Sequence, residues 1–203
     1  MIEMSDRQKG LAAAIGFRVK TGRATGIIVA GTGALPQVLR RASVNLRDPK
    51  LPESFQPYHA ALELPECEGV AVVKRATAAI QALATRAIGD LAKELHASGH
   101  RLSGIGLVVA TDKDPGPLGR SHIRAHALEG RLFWKAMEQG ADALGLPHLY
   151  ILERDAFEAA SVVLGRKPAD LKSAVNEMGR TVGRPWSAEE KTATLAAWMA
   201  LSG

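Results

Sequence analysis

The stretch Leu11 to Ala30, LAAAIGFRVKTGRATGIIVA, limits the possible folds more than any other part of the chain. Leu11 to Val19 and Ala24 to Ala30 are apolar runs of strand length. Thr21-Gly22 between them is short and supplies a residue that tolerates positive φ, so the stretch predicts a β-hairpin. Side chains alternate across a strand, which sends Arg18 and Lys20 to one face and Phe17 and Val19 to the other. Paired cations at the end of an otherwise apolar strand require something anionic to meet them.

The elements that follow can be placed by their periodicity. Gly31-Thr32-Gly33 makes a second turn, and Gln37 to Leu46 reads as a third, antiparallel strand whose charged Arg40 and Arg41 suit an edge. Pro49, Pro52 and Pro57 mark a loop, followed by a short helical turn over Tyr58 to Leu64. Apolar residues at helical spacing from Glu68 to Ala97 predict the longest helix, which Gly99 ends. Leu102 to Ala110 is continuously apolar, as in a strand buried on both faces of a mainly parallel sheet. Next come a loop over Asp112 to Gly119, a helix over Ser121 to Gln139, a short strand over His148 to Leu152, and helices over Ala156 to Leu164 and Pro168 to Met178. Ser187 and Glu190 form a capping box for a last helix, apolar on one side from Lys191 to Leu201. Right-handed crossovers put the first strand at the centre. The fold class is therefore α/β, a five-stranded mixed sheet in the order 3-2-1-4-5 with helices on both faces.

The 203 residues, 46% of them hydrophobic, suffice for one domain with a well-buried core. We expect a single domain over 1–203, with 1–10 as a flexible N-terminus. Lys and Arg number 26 against 21 Asp and Glu, a formal charge of +5 that suits a polyanionic partner without requiring one. The single cysteine, Cys67, cannot form an internal disulfide or a thiolate zinc site alone, which fits a reducing compartment. No apolar run reaches the length of a membrane span and the N-terminal stretch is polar, so a cytoplasmic chain with no membrane attachment is expected.

This order of elements resembles the ribonuclease H-like superfamily. Ile15-Gly16-Phe17-Arg18 with Gly22, and Pro168 to Arg180 followed by an Ala-rich last helix, are similar to stretches of its Holliday-junction resolvase branch. The resemblance implies carboxylates from the first strand, a middle element and the last helix that hold two magnesium ions and cleave a phosphodiester. Here Arg18 stands at the first-strand position. Lys191, beside Leu195 and Trp198, stands where the last helix would present an acid, while Glu189 and Glu190 project elsewhere or cap. Both departures are toward positive charge, so two-metal cleavage is not expected of this chain.

The most informative polar group lies on the helix after the fourth strand. His122, His126 and Glu129 share one face at i, i+4 and i+7, the side that also carries Ala125, Phe133 and Ala136, so they should look toward the sheet. Three accounts stay open: imidazoles and a carboxylate holding zinc or manganese; Glu129 as a buried acceptor paired with Arg18 or Lys191; and an anion site in which Glu129 orients cations and histidines around a phosphate. Location favours function, because ligands of open α/β sheets gather at the carboxyl ends of the strands. We take Glu129, His122, His126 and Lys191 as the catalytic candidates and Arg18, Lys20, Thr21, Gly22 and Lys191 as the anion-binding ones, and assign no metal ligand. Thr21-Gly22 also resembles the phosphate-gripping hairpin of actin-like ATPases, without its usual aspartate. Arg18, Lys20 and Arg23 with Arg40 and Arg41 make a candidate phosphate-tracking stripe. In Gln56-Pro57-Tyr58-His59, anchoring of the loop is the simpler role and ligand contact the alternative. Trp186 and Trp198 suit packing.

The function expected is a nucleic-acid-binding protein of ribonuclease H-like fold with a degenerate, cationic cleft. The alternatives are a small-molecule phosphate or nucleotide binding enzyme, or a non-catalytic subunit of a protein complex. The partner is nucleic acid or a phosphorylated ligand. The cofactor and the oligomeric state are both open, a homodimer included. The sharpest expectation is that Arg18, Lys20 and Lys191 converge with Glu129, His122 and His126 in one anion-binding cleft.

Overall fold

The computed structural model describes residues 10–116 and 121–203. All of the expected flexible N-terminus except Gly10, and the end of the Asp112 to Gly119 loop, lie outside the described residues.

The hairpin forms as expected: β1 (Leu11–Lys20) and β2 (Arg23–Gly31) pair antiparallel with Arg18 opposite Thr25 and Lys20 opposite Arg23. The turn works because Gly22 has φ +76°, and a Cβ there would also come within 2.9 Å of the Arg47 side chain. β3 (Pro36–Asn45) adds antiparallel to β2 at the edge. α1 (Pro57–Leu62) and the 32-residue α2 (Glu66–Ala97) then cross over to β4 (His100–Val109), which lies parallel to β1 on its other side. α3 (His122–Ala143) crosses to β5 (His148–Leu152), parallel to β4. The sheet order is β3-β2-β1-β4-β5, as the sequence predicts.

α3 runs past the expected end at Gln139 because Gly140 and Ala141 are buried, Gly140 against the backbone of α2 at Ala84 and Thr85. α4 (Ala156–Leu164), α5 (Pro168–Met178) and α6 (Ala188–Ser202) complete the chain. Ser187 and Glu190 make the predicted capping box at the start of α6.

Strand parity sorts the two layers. Ala13, Ile15, Phe17 and Val19 of β1 pack with α2 and α3, where Phe133 and Met137 are fully buried. The even positions face α6. Gly16 and Gly106 let this helix settle on the backbone of the sheet: a Cβ on Gly16 would stand 1.8 Å from the Ala193 carbonyl oxygen, and one on Gly106 2.2 Å from that of Ala196. The sequence suggests a helix apolar on one side only, but α6 is buried at Glu190 and without interruption from Thr192 to Met199. The difference arises because a further layer, carrying Ala156, Ala160, Leu171 and Val175, covers the side of α6 away from the sheet.

Candidate functional site

Arg18 leaves β1 on the α6 face and is buried. Its Nε donates to Glu153 Oε1 at 2.8 Å and its Nη2 to Oε2 at 2.5 Å, a bidentate grip on a carboxylate in the 3-10 turn Glu153–Asp155 just beyond β5. Lys20 and Arg23, from the two ends of the hairpin turn, share Glu189 in the first turn of α6. Arg23 Nη1 and Nη2 donate to Glu189 at 2.9 and 3.0 Å, and the Thr25 hydroxyl donates to it at 2.9 Å. The Arg23 hydrogen bonds, opposed by partial burial and reinforced by Lys20 and Thr25, hold the Glu189 carboxyl at about 2. Burial alone would push Glu190 up, but the Ser187 hydroxyl, backbone hydrogen bonds and the charge of Arg41 bring it below the usual carboxylate range.

These residues do not fit a pair of magnesium ions. The ions need clustered carboxylate oxygens with room for water. The strand position holds a guanidinium, and Glu153 and Glu189 have both oxygens engaged by cations.

Beside this network lies a groove of about 850 Å³ lined by Arg180, Arg184, Trp186, Ser187 and Asn176. Arg41 shapes it from β3 by donating to the carbonyls of Val182, Gly183 and Pro185, with its guanidinium 5.8 Å from the Trp186 ring centre. Trp186 donates to the Val175 carbonyl at 3.1 Å and lies flush on Gly179, where a Cβ would come within 2.4 Å of the ring. The candidate stripe of Arg18, Lys20, Arg23, Arg40 and Arg41 is split, because neighbouring residues of a strand point oppositely: Arg40 turns to the other layer and pairs with Glu94 of α2.

The second cluster sits in that other layer, between α1 and α3. Glu129 is fully buried, and its Oε1 accepts from the His59 backbone N–H at 3.2 Å and lies 2.9 Å from His59 Nδ1. Its Oε2 is 4.0 Å from His126 Nδ1 and has no hydrogen-bond partner among the described residues. The His59 ring centre is 4.2 Å from that of His126 and 5.5 Å from that of His122. Burial, with the charge of Glu129 added and that of Arg131 opposing, raises the neighbouring Tyr58 hydroxyl above its ordinary range.

The expected single cleft is therefore two separate clusters. Arg18 and Lys20 face α6, whereas Glu129, His122 and His126 belong to the helix packed on the opposite side of the sheet, with Phe17 and Val19. Glu129 pairs with His59, not with Arg18 or Lys191. The surplus positive charge invoked for the cleft is absent at Arg18, which Glu153 balances, while Lys20 shares Glu189 with Arg23. Glu189, expected to project elsewhere, is the hub of the hairpin network. Lys191 is half-buried and makes no ion pair among the described residues. The sequence signal for His59 was the Gln56-Pro57-Tyr58-His59 motif; Glu153 carried none.

No protein-family model matches the chain, and no curated protein matches it in sequence. Among solved structures, it is similar to RuvC of Thermus thermophilus, with 16% identity, 92% of each chain covered and a TM-score of 0.49. A complex of the T. thermophilus protein with Holliday junction substrate gives the same identity and TM-score, 16% and 0.49, over 92% of this chain and 91% of that one. The yeast mitochondrial Holliday junction resolvase Ydc2 is 12% identical over 95% of this chain and 80% of that one, with a TM-score of 0.49. The fold is ribonuclease H-like. That assignment rests on the strand order, the antiparallel β2 and the helical layers on both faces.

Proposed function

We propose that this chain binds nucleic acid through the groove at the start of α6 and has lost two-metal phosphodiester cleavage. The observation that carries the reading is an arginine-lined groove beside a hairpin network whose carboxylates, Glu153 and Glu189, are engaged by Arg18, Lys20 and Arg23. Arg180 and Arg184, which line the groove, and Lys191, half-buried near the start of α6, are the phosphate contacts of this reading. Exposed Arg184 makes no ion pair among the described residues, and Arg180 has only a solvent-exposed pair with Glu177, which costs little to exchange for a phosphate. Lys20 and Arg23 extend the cationic surface by sharing one carboxylate between two positive groups. Thr21, half-buried at the tip of the same hairpin, offers a hydroxyl to the phosphate strand, whereas Gly22, the other anion-binding candidate of the turn, is buried against Arg47 and Phe55.

The reading is tested by fluorescence anisotropy of labelled four-way junction, duplex and single-stranded DNA over a salt series. Log affinity should fall steeply with log salt, by about 0.7–0.9 for each phosphate contacted. Arg180→Ala, Arg184→Ala and Lys191→Ala should each weaken binding and reduce the slope by about one. No strand should be cut when magnesium is added. A salt-independent affinity for a single nucleotide would instead favour a small-ligand enzyme, and magnesium-dependent cutting would overturn the loss of cleavage.

A further inference from the structure

The α1–α3 cluster holds an arrangement that the nucleic-acid reading does not use. We infer that His59, His126 and Glu129 form a binding site for a divalent transition-metal ion of the zinc class. One nitrogen from each imidazole and one carboxylate oxygen all lie within 4.8 Å of one another, and among the described residues no other group of three histidine, cysteine, aspartate or glutamate side chains is gathered in this way. Metal bonds of about 2.0–2.1 Å arranged tetrahedrally put neighbouring ligand atoms about 3.3 Å apart. The separations of Glu129 oxygens from His59 Nδ1 and His126 Nδ1, 2.9 and 4.0 Å, bracket that value.

A second observation is independent of the clustering. Glu129 is wholly removed from water, yet its Oε2 has no hydrogen-bond partner among the described residues. A buried carboxylate oxygen with nothing to meet its charge is costly. His126 Nδ1 lies 4.0 Å from it, too far for a hydrogen bond and close enough to share a cation. The His126 side chain is 65% exposed, so an ion can enter from solvent without opening the core. Two nitrogens and one oxygen suit zinc, whereas magnesium prefers an all-oxygen shell. Three protein ligands leave a fourth position for water or a substrate atom.

The layers supply the positioning. Pro57 at the start of α1 and the backbone N–H of His59 on Glu129 Oε1 fix the angle at which His59 meets α3, while Glu129 and His126 stand three residues apart on one helix face. This site lies across the sheet from the groove, so its fate is separate from that of the nucleic-acid reading.

The test is isothermal titration of the chelator-treated, tag-free full chain with zinc and with magnesium, and a visible spectrum with cobalt(II). The wild type should take up one zinc per chain, ignore magnesium, and show cobalt bands of a low-coordinate nitrogen–oxygen site. His59→Ala and His126→Ala should each lower zinc affinity by more than about a hundredfold, beyond the roughly 10–100-fold that loss of an outer-shell partner commonly costs. Because Glu129→Gln removes a buried group, it is read beside His126→Ala, whose exposed side chain can be lost while the unfolding temperature of the metal-free protein stays the same. Zinc should raise that temperature in the wild type and not in His126→Ala. No zinc uptake, uptake that His126→Ala does not change, or tighter binding of magnesium would overturn the site and leave Glu129 as a structural acceptor for His59.

Discussion

Glu189 is the residue on which the hairpin network depends. One carboxylate receives Lys20, Arg23 and Thr25, so it joins both strands of the hairpin to the start of α6. Its folded-state value of about 2 lies below the ordinary 4.5, so the stabilisation is fully present above pH 4.5 and is lost as the pH falls through 2. Glu189→Gln should therefore lower stability at neutral pH by about 1–3 kcal/mol. Denaturant unfolding from pH 7 down to 2 should show the two proteins converging within that window, whereas a gap that stayed constant with pH would mean that charge is not the origin. The partner of Arg18 illustrates what sequence could not reveal. Parity shows that Arg18 needs an anion, but Glu153 stands 135 positions away, and nothing local to either residue encodes their meeting.

At the scale of elements, much was legible. The hairpin, the strand order, β5, α4, α5 and the capping box of α6 follow from short-range patterns of alternation, helical spacing and turn chemistry, and the structure has them where expected. The inward positions of Ala125, Glu129, Phe133 and Ala136 on α3 were legible, but His122 and His126, expected to look toward the sheet, are exposed at the rim of that face. The layer to which α3 belongs was not legible, because helical periodicity says which residues are inward and not which side of a sheet lies inward of them. That gap separates the single cleft expected from the two clusters observed. Glycine sharpens the same distinction between local and global information. Gly106→Ala places a methyl 2.2 Å from a helix carbonyl that cannot move alone, so we expect a loss of at least about 3 kcal/mol. Gly130 in α3 has nothing within 4 Å of an added Cβ, and Gly130→Ala should stabilise by about 0.5–1 kcal/mol through helix propensity. Chemical denaturation of the two variants beside the wild type checks both; equal effects would remove the packing argument.

Across the whole molecule, no helix among the described residues is long and apolar enough to cross a membrane. The sheet divides the molecule into a groove side, with the hairpin network and Arg180, Arg184 and Trp186, and a histidine side, with Glu129 at its centre. A ligand on one side touches no side chain of the other, so phosphate-contact substitutions and metal-ligand substitutions should act additively on stability, as distant sites do.

The contact of α6 with Gly16 and Gly106 also determines when the molecule can close. The trough over β1 and β4 is completed by the last of the described elements, so a growing chain must carry its earliest strand with one face uncovered until the final helix has been made. Docking of α6 on β1, the last and first of the described elements, is a long-range loop closure, which ordinarily comes late on the route to the native state. Cavity-forming changes in α6, Leu195→Ala for example, should then speed unfolding much more than they slow folding, and stopped-flow chevrons can measure the split. A folding arm slowed as much as the unfolding arm is accelerated would place this helix in the nucleus instead.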